Sequence, residues 1–186
     1  MEHIKYIHPE YPRYNLYFAD ESRFGLFTRH RRVLTIRGCK PVCPYQHRFE
    51  NTYLFGAFSP LSGSSIVLDL PFCNTATFQI FINELSALDK EEFKIVVLDN
   101  GAFHKSKSLK IPSNMAFLFL PPYSPELNPA EKVWWTIKGE TSMQAFATME
   151  DLQKALDKSL QLLTVNKIKQ LTGYKIYLHN FKTVFN

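Results

Sequence analysis

Apolar and polar residues alternate with two different periods along this chain, and the places where the period switches mark its elements. Residues 14–20 (YNLYFAD) read as a strand that ends at a pair of acids. Residues 51–59 (NTYLFGAFS) and 64–70 (SSIVLDL) are two apolar, β-rich runs, and Pro60, Leu61, Ser62 and Gly63 between them are hairpin chemistry. From 74 to 88, Phe78, Phe81, Ile82 and Leu85 recur at helical spacing, with Asn74 or Thr75 placed to cap the helix. Residues 94–99 (KIVVLD) form a continuous β-branched run, as a strand buried on both faces requires. Residues 115–120 (MAFLFL) form another, stopped by Pro121 and Pro122. A short helix is predicted around 106–109, a second from Asn128 and Pro129 to about 138, and a third over 149–163. Residues 21–50 carry a weaker pattern, read as a short strand at 32–36 and a turn at Gly38 and Pro41. The order predicts an α/β fold, a mixed five-stranded sheet flanked by helices, half antiparallel and half parallel, with the first strand beside 94–99.

Composition narrows the class. The chain has 186 residues, 45% of them hydrophobic, with 16 Phe and 9 Tyr, so one domain with a substantial core is expected and extensive disorder is excluded. No apolar run approaches the ~18 residues of a membrane span, and the polar first twelve residues lack the core of a secretory signal. Cys39, Cys43 and Cys73 make an odd count that suggests a reducing compartment. Cys39, Cys43 and His47 have a spacing compatible with a metal site but lack a clear fourth ligand, and ordinary loop or core roles are preferred.

The formal charge is +5, and its distribution says more than its size. Between 23 and 49 lie Arg23, Arg29, Arg31, Arg32, Arg37, Lys40 and Arg48 with no acid, and between 100 and 125 lie Lys105, Lys107 and Lys110, again with none. Such stretches suit phosphate backbones or a solvated loop, and both readings stay open.

Three short acidic motifs supply the candidate chemistry. Asp20 and Glu21 close the first strand, Asp99 and Asn100 close the 94–99 strand, and Glu131 opens a helix after Asn128. Hard divalent cations want oxygen ligands, and two ions about 3.5–4 Å apart hold both the attacking and the leaving oxygen of an in-line displacement. Neighbours on a strand point to opposite faces, so only one of Asp20 and Glu21 faces such a site, and Asp20 is preferred. Each acid has a rival role: Asp20 as a turn cap, Asp99 in an Asp-Asn-Gly turn, and Glu131 in a capping box with Asn128. A carboxylate ending a buried strand is costly unless paired or metal-bound, which favours the metal role for Asp99. Trp134, three residues on from Glu131, shares its helix face and is expected beside the site, with Trp135 turned away.

The segments FADESRFG (18–25), VVLDNGAFHKS (96–106) and LFLPPYSPELNPAEKVWW (118–135) resemble the three catalytic blocks of DDE transposases, most closely the mariner-type superfamily in its bacterial insertion-sequence branch. The resemblance runs from about residue 14 to 174. It implies a ribonuclease H-like fold over 14–165, with 1–13 as an extension and 166–186 as a tail packing on or extending the domain. It implies Asp20, Asp99 and Glu131 as catalytic and metal-binding residues, two Mg²⁺ ions with Mn²⁺ able to substitute, and DNA strand cleavage and transfer. Glu21, Asn100, His104 and Asn128 become accessory candidates, His104 toward phosphate or a metal-bound water. Arg23, Arg29, Arg31, Arg32, Lys105 and Lys107 become DNA-binding candidates. Implied partners are element ends and target DNA, a homodimer or higher synaptic assembly, and a separate helix-turn-helix module, in a bacterial cytoplasm on nucleoid DNA. Two departures stand out: the Asp99–Glu131 interval of 31 residues is slightly short, and nothing before residue 14 is long enough for an end-reading module. The chain thus reads as a catalytic domain alone. A same-fold nuclease and an inactive DNA-binding or dimerisation remnant are the rivals.

Overall fold

The computed structural model describes residues 8–28 and 34–185. Five strands form one sheet: β1 (Arg13–Gly25), β2 (Asn51–Phe58), β3 (Ser65–Leu70), β4 (Glu92–Leu98) and β5 (Met115–Phe119), in the order β3-β2-β1-β4-β5. β1, β2 and β3 pair antiparallel, whereas β1, β4 and β5 pair parallel. The helices are α1 (Thr75–Ala87), α2 (Ala130–Thr141), α3 (Met149–Gln161), α4 (Val165–Thr172) and α5 (Lys175–Phe185).

The sheet is covered on both faces, which explains why β4 reads as an apolar run without alternation. One face carries Leu16, Phe18, Phe24, Ile95 and Val97 beneath Trp134 of α2, Leu152 and Leu156 of α3, Ile168 of α4 and Phe181 of α5. The other carries Tyr17, Ala19, Phe55, Val96 and Leu98 beneath Phe78, Phe81, Ile82 and Leu85 of α1. Asn74 caps α1 in a reciprocal box with Thr77, satisfying backbone donors that the first turn leaves open. The weakly patterned C-terminal residues form two helices whose Ile168 and Phe181 join the α2 face of the core.

Three local readings need correction. β1 does not stop at the acids but continues to Gly25, pairing with β2 from Phe18↔Phe58 to Gly25↔Asn51. The cause is visible in the residues: Ser22, Phe24 and Leu26 keep burying alternate positions past the carboxylates. The short helix lies at Ala102–Lys105 rather than 106–109. Of the strand expected at 32–36, residues 32 and 33 lie outside the described residues, and 34–36 are not strand.

Trp134 locks α2 to the sheet. It is buried, edge-on to Phe58 at 5.4 Å and to Phe24 at 6.5 Å, whereas Trp135 is 80% exposed, the division expected from their helix register. The indole lies over Gly56, which pairs with Asp20; a Cβ there would sit 2.7 Å from Trp134 and from Phe58. Gly56→Ala is therefore an overpacking change, expected to destabilise the fold by about 1–3 kcal/mol. Denaturant unfolding checks it, and an unchanged midpoint would contradict this account of the α2 contact.

Candidate active site

Parallel pairing of β1 with β4 runs through Phe18↔Val97. Continued by two residues, that register sets Asp20, within β1, level with Asp99, just past the carboxyl end of β4, where open α/β sheets place their ligands. The third carboxylate comes from the first turn of α2. Asn128 fixes its position. This buried side chain donates from Nδ2 to the Ala19 carbonyl at 3.1 Å and accepts from the Ala130 amide at 3.1 Å. One amide thus ties the start of α2 to the backbone beside Asp20. The capping box read for Asn128 and Glu131 does not form: Pro129 takes the cap position and has no side-chain bond to offer, and Asn128 meets the Ala130 amide rather than that of Glu131. Glu131 instead lines a cleft of about 470 Å³ together with Asp20, Asp99, Asn100, Asn128 and the loop from Leu120 to Pro125.

The strand pleat separates the adjacent acids. Asp20 lies in the cleft on the α2 side, while Glu21 reaches His104, with 3.2 Å between Oε1 and Nε2. His104 is buried, with ring centroids 4.5 Å from Phe78 and 4.2 Å from Phe103. Its Nδ1 stands 2.9 Å from Asp99 Oδ1, an ion-pair distance without the alignment of a hydrogen bond. Gly101 allows this approach, since a Cβ there would lie 3.0 Å from His104 Nδ1 and 3.1 Å from Asp99 Oδ1.

Asp99 also differs from its expected state. Its side chain is 59% exposed, so burial does not compel a partner; the more enclosed acid is Asp20. Asp99 Oδ1 accepts from the Gly101 amide at 2.8 Å, so the Asp-Asn-Gly turn forms while the residue still lines the cleft. Asn100 donates to the Leu120 carbonyl and accepts from Lys105, linking the ends of β4 and β5.

Charge is the dominant physics here. Burial holds the Asp20 carboxyl well above the usual carboxylate range, and the negative charges of Glu21, Glu131 and Asp99 push it further. For His104, burial pulls the imidazole down, but Glu21 and Asp99 outweigh it and the net shift is upward. Cys73, which sequence reasoning passed over, feels the same field. Burial and the charges of Glu21, Asp20 and Asp99 raise its thiol to about 11. The three cleft carboxylates are all oxygen donors short of positive charge, and this donor set fits a hard divalent cation. Among the described residues, no three His, Cys, Asp or Glu side chains already close on a single point, so the acids border the cleft rather than converge.

Of the basic candidates, Arg23 and Lys107 are exposed. Lys105 lies 4.9 Å over the Phe119 ring at the rim. Arg29, Arg31 and Arg32 lie outside the described residues. Cys39 and Cys43 belong to the loop before β2, where His47 packs against Phe27, Tyr45 and Phe49. The loop residue Tyr123 was also missed, although it lines the cleft.

Known proteins share the family and the fold. A family profile described as DDE superfamily endonuclease covers residues 15–153. A Mos1 transposase paired-end complex with left transposon end superposes with a TM-score of 0.63 at 18% identity, covering 86% of this chain and 51% of that one. A Mos1 mariner paired-end complex with Mn gives 0.64 at 19%, covering 84% and 51%. At this identity the likeness shows a shared fold, the ribonuclease H-like sheet expected above. An uncharacterized protein of Sinorhizobium fredii, y4pE/y4sA, is 41% identical over 83 residues, which are 44% of this chain and 62% of that protein. The chain therefore spans about half the length of the Mos1 proteins and less than two thirds of y4pE/y4sA. No helix among the described residues is long and apolar enough to cross a membrane.

Two outcomes follow from the electrostatics. A carboxyl raised by folding binds its proton more tightly in the native state, so its charge penalises folding above the native pKa and the penalty fades as pH falls. Asp20→Asn is therefore expected to raise the melting temperature of the metal-free protein at neutral pH, by about 2–4 °C per kcal/mol at this chain size, with the gain shrinking in acid. Calorimetry against pH checks it; a less stable variant at neutral pH would refute the repulsion. Replacing Glu21 with Gln removes its upward pull on His104 and leaves that of Asp99 alone against burial. The imidazole should then titrate at lower pH than in the parent, as followed by NMR, and no movement would show that Glu21 does not hold it.

Proposed function

The chain belongs to the DDE superfamily endonucleases, and on that premise we propose that it is the metal-dependent catalytic domain of an insertion-sequence transposase, cutting DNA strands and joining them to a target. The observation that carries this reading is the sharing of one cleft by Asp20, Asp99 and Glu131, each delivered by a different part of the sheet–helix framework. The Mos1 complexes of the same fold include transposon-end DNA, Mn in one case and Mg in another, which supports DNA and divalent metal as ligands here.

Asp20, Asp99 and Glu131 would hold the metal, with two Mg²⁺ ions as the full complement. Bound there, the ions would supply charge stabilisation at the attacking and leaving oxygens of an in-line phosphoryl transfer. The chain's own residues do the rest. Asp20 and Asp99 define one wall through strand register. Glu131 is placed by Asn128. Glu21 and the packing of Phe78 and Phe103 hold the buried His104 against Asp99, so His104 would act on a ligand only through that carboxylate. Lys105 and Lys107 follow the second acidic motif and offer phosphate contacts, as does Arg23 beyond the first. Such contacts position DNA without reading bases, so a separate helix-turn-helix module would find the element ends. Paired ends require at least a dimer, working on DNA in the bacterial cytoplasm.

The test is a two-part assay with Mg²⁺. Intact duplex reports cutting, and pre-nicked duplex with a free 3′-hydroxyl reports joining to a second DNA. The parent chain should do both, and Asp99→Asn should abolish both while keeping the melting temperature within a few degrees. Cutting without joining would make this a nuclease, neither activity would make it a remnant, and persistent cutting by Asp99→Asn would remove that residue from the centre.

A further inference from the structure

Tyr123 is held in a conformation that nothing among the described residues rewards. Its φ is 57°, the left-handed region that a residue with a Cβ adopts only against steric resistance. Glycine or asparagine would sit there more comfortably. The usual compensation is burial or a hydrogen bond, and among the described residues Tyr123 has neither: it is 101% exposed.

The loop around it is nonetheless firmly placed. At its start, the Leu120 amide donates to the Leu98 carbonyl at 2.8 Å, and Asn100 donates to the Leu120 carbonyl. At its end, the Leu127 amide donates to Ser124 at 3.1 Å and the Asn128 amide to Pro125 at 2.9 Å. Pro121 and Pro122 precede the tyrosine and Pro125 follows it, restricting the backbone on both sides. The ring thus stands on a fixed arm at the cleft bordered by Asp20, Asp99 and Glu131. The neighbouring rim aromatic, Phe119, already carries Lys105 over its face, whereas Tyr123 offers an open one.

Strain beside a reaction centre, unrewarded from within, points to a ligand that rewards it. We propose that Tyr123 is a stacking platform for a nucleobase unstacked from the duplex beside the scissile phosphate, an inference that rests on the reading of the cleft as a phosphodiester site. Each nucleotide brings a flat π-face close to its phosphate. A side-chain ring reaches that face only when the base has left the stack, and such stacking tolerates any sequence.

The experiment uses the full chain with Ca²⁺ as the divalent ion. The probes are a blunt duplex and a duplex with a single-stranded overhang bearing the fluorescent base aminopurine beside the junction. Anisotropy gives affinity, and aminopurine quenching reports stacking. The parent and Tyr123→Phe should quench the probe and favour the overhang. Tyr123→Ala should lose the quenching and roughly 5- to 140-fold in overhang affinity, the range expected for one stacked base, with blunt-duplex affinity unchanged. Tyr123→Gly should bind like the Ala variant yet melt at a higher temperature than the parent, because it relieves the left-handed strain. A residue kept for structure would show the opposite sign. Equal overhang binding by parent and Tyr123→Ala, or a lower melting temperature for Tyr123→Gly, would overturn the platform while leaving the DNA reading intact. Failure of the parent to bind either DNA would overturn that reading and the platform with it.

Discussion

The structure is organised around a repulsion. Asp20, within β1, stands level with Asp99 just past the end of the adjacent parallel strand β4, and Glu131 borders the same cleft from α2. Like charges gathered around a partly enclosed cleft oppose folding, and the raised Asp20 carboxyl is the local sign of that opposition. The framework must therefore be stiff enough to hold the enclosed Asp20 carboxyl beside its acidic neighbours. Parallel pairing in the middle of the sheet places two of the acids, because β1 and β4 are each hydrogen-bonded on both sides. The third depends on Trp134 seated over Gly56 and on Asn128 clasping the Ala19 carbonyl. All these fixings lie within a few residues of a carboxylate.

The pleat of β1 explains how two adjacent acids serve different ends. Asp20 turns to the α2 face, while Glu21 turns to the α1 face and engages His104. Between them, Asp99 touches both sides, with one oxygen near His104 and the Gly101 amide and its side chain bordering the cleft. A buried imidazole between two carboxylates couples the faces electrostatically. Any charge brought to Asp99 is felt at His104, and the position of His104 is set by Glu21 on the far side of the strand.

Much of this was legible in the residues. Period-two runs and the Pro60–Gly63 turn gave the strands and hairpin, and the apolar β4 run gave a strand buried on both faces because only double burial removes the alternation. The acids were visible as carboxylates beside apolar runs, Asp99 and Glu131 at element ends and Asp20 within a strand read as stopping there. What escaped reading was mostly non-local. Asn128 reads locally as a helix cap, and its bond to Ala19 crosses 109 residues of sequence. Asp99 follows an apolar run yet is exposed, because the chain leaves the sheet at once through a turn. The extension of β1 past Asp20 was a local signal overlooked, since Ser22 and Phe24 continue the alternation in plain sight.

A cleft that resists its own charge has a definite thermodynamic character. Whatever positive species enters relieves repulsion as well as making new bonds, so its binding and the stability of the fold are linked. That linkage constrains the surroundings. If the walls could yield, the acids would drift apart and the relief would come from motion instead of from a ligand. Packing at Gly56 and Gly101 leaves little room for such drift: a single added carbon would meet Trp134 at one and His104 at the other. Tight packing of neutral groups thus preserves an electrostatic strain, and the strain gives the cleft its preference for cations. The same economy governs the rim. Prolines and backbone hydrogen bonds fix the loop from Leu120 to Asn128, and its one strained residue points outward, where only a visitor to the cleft can meet it.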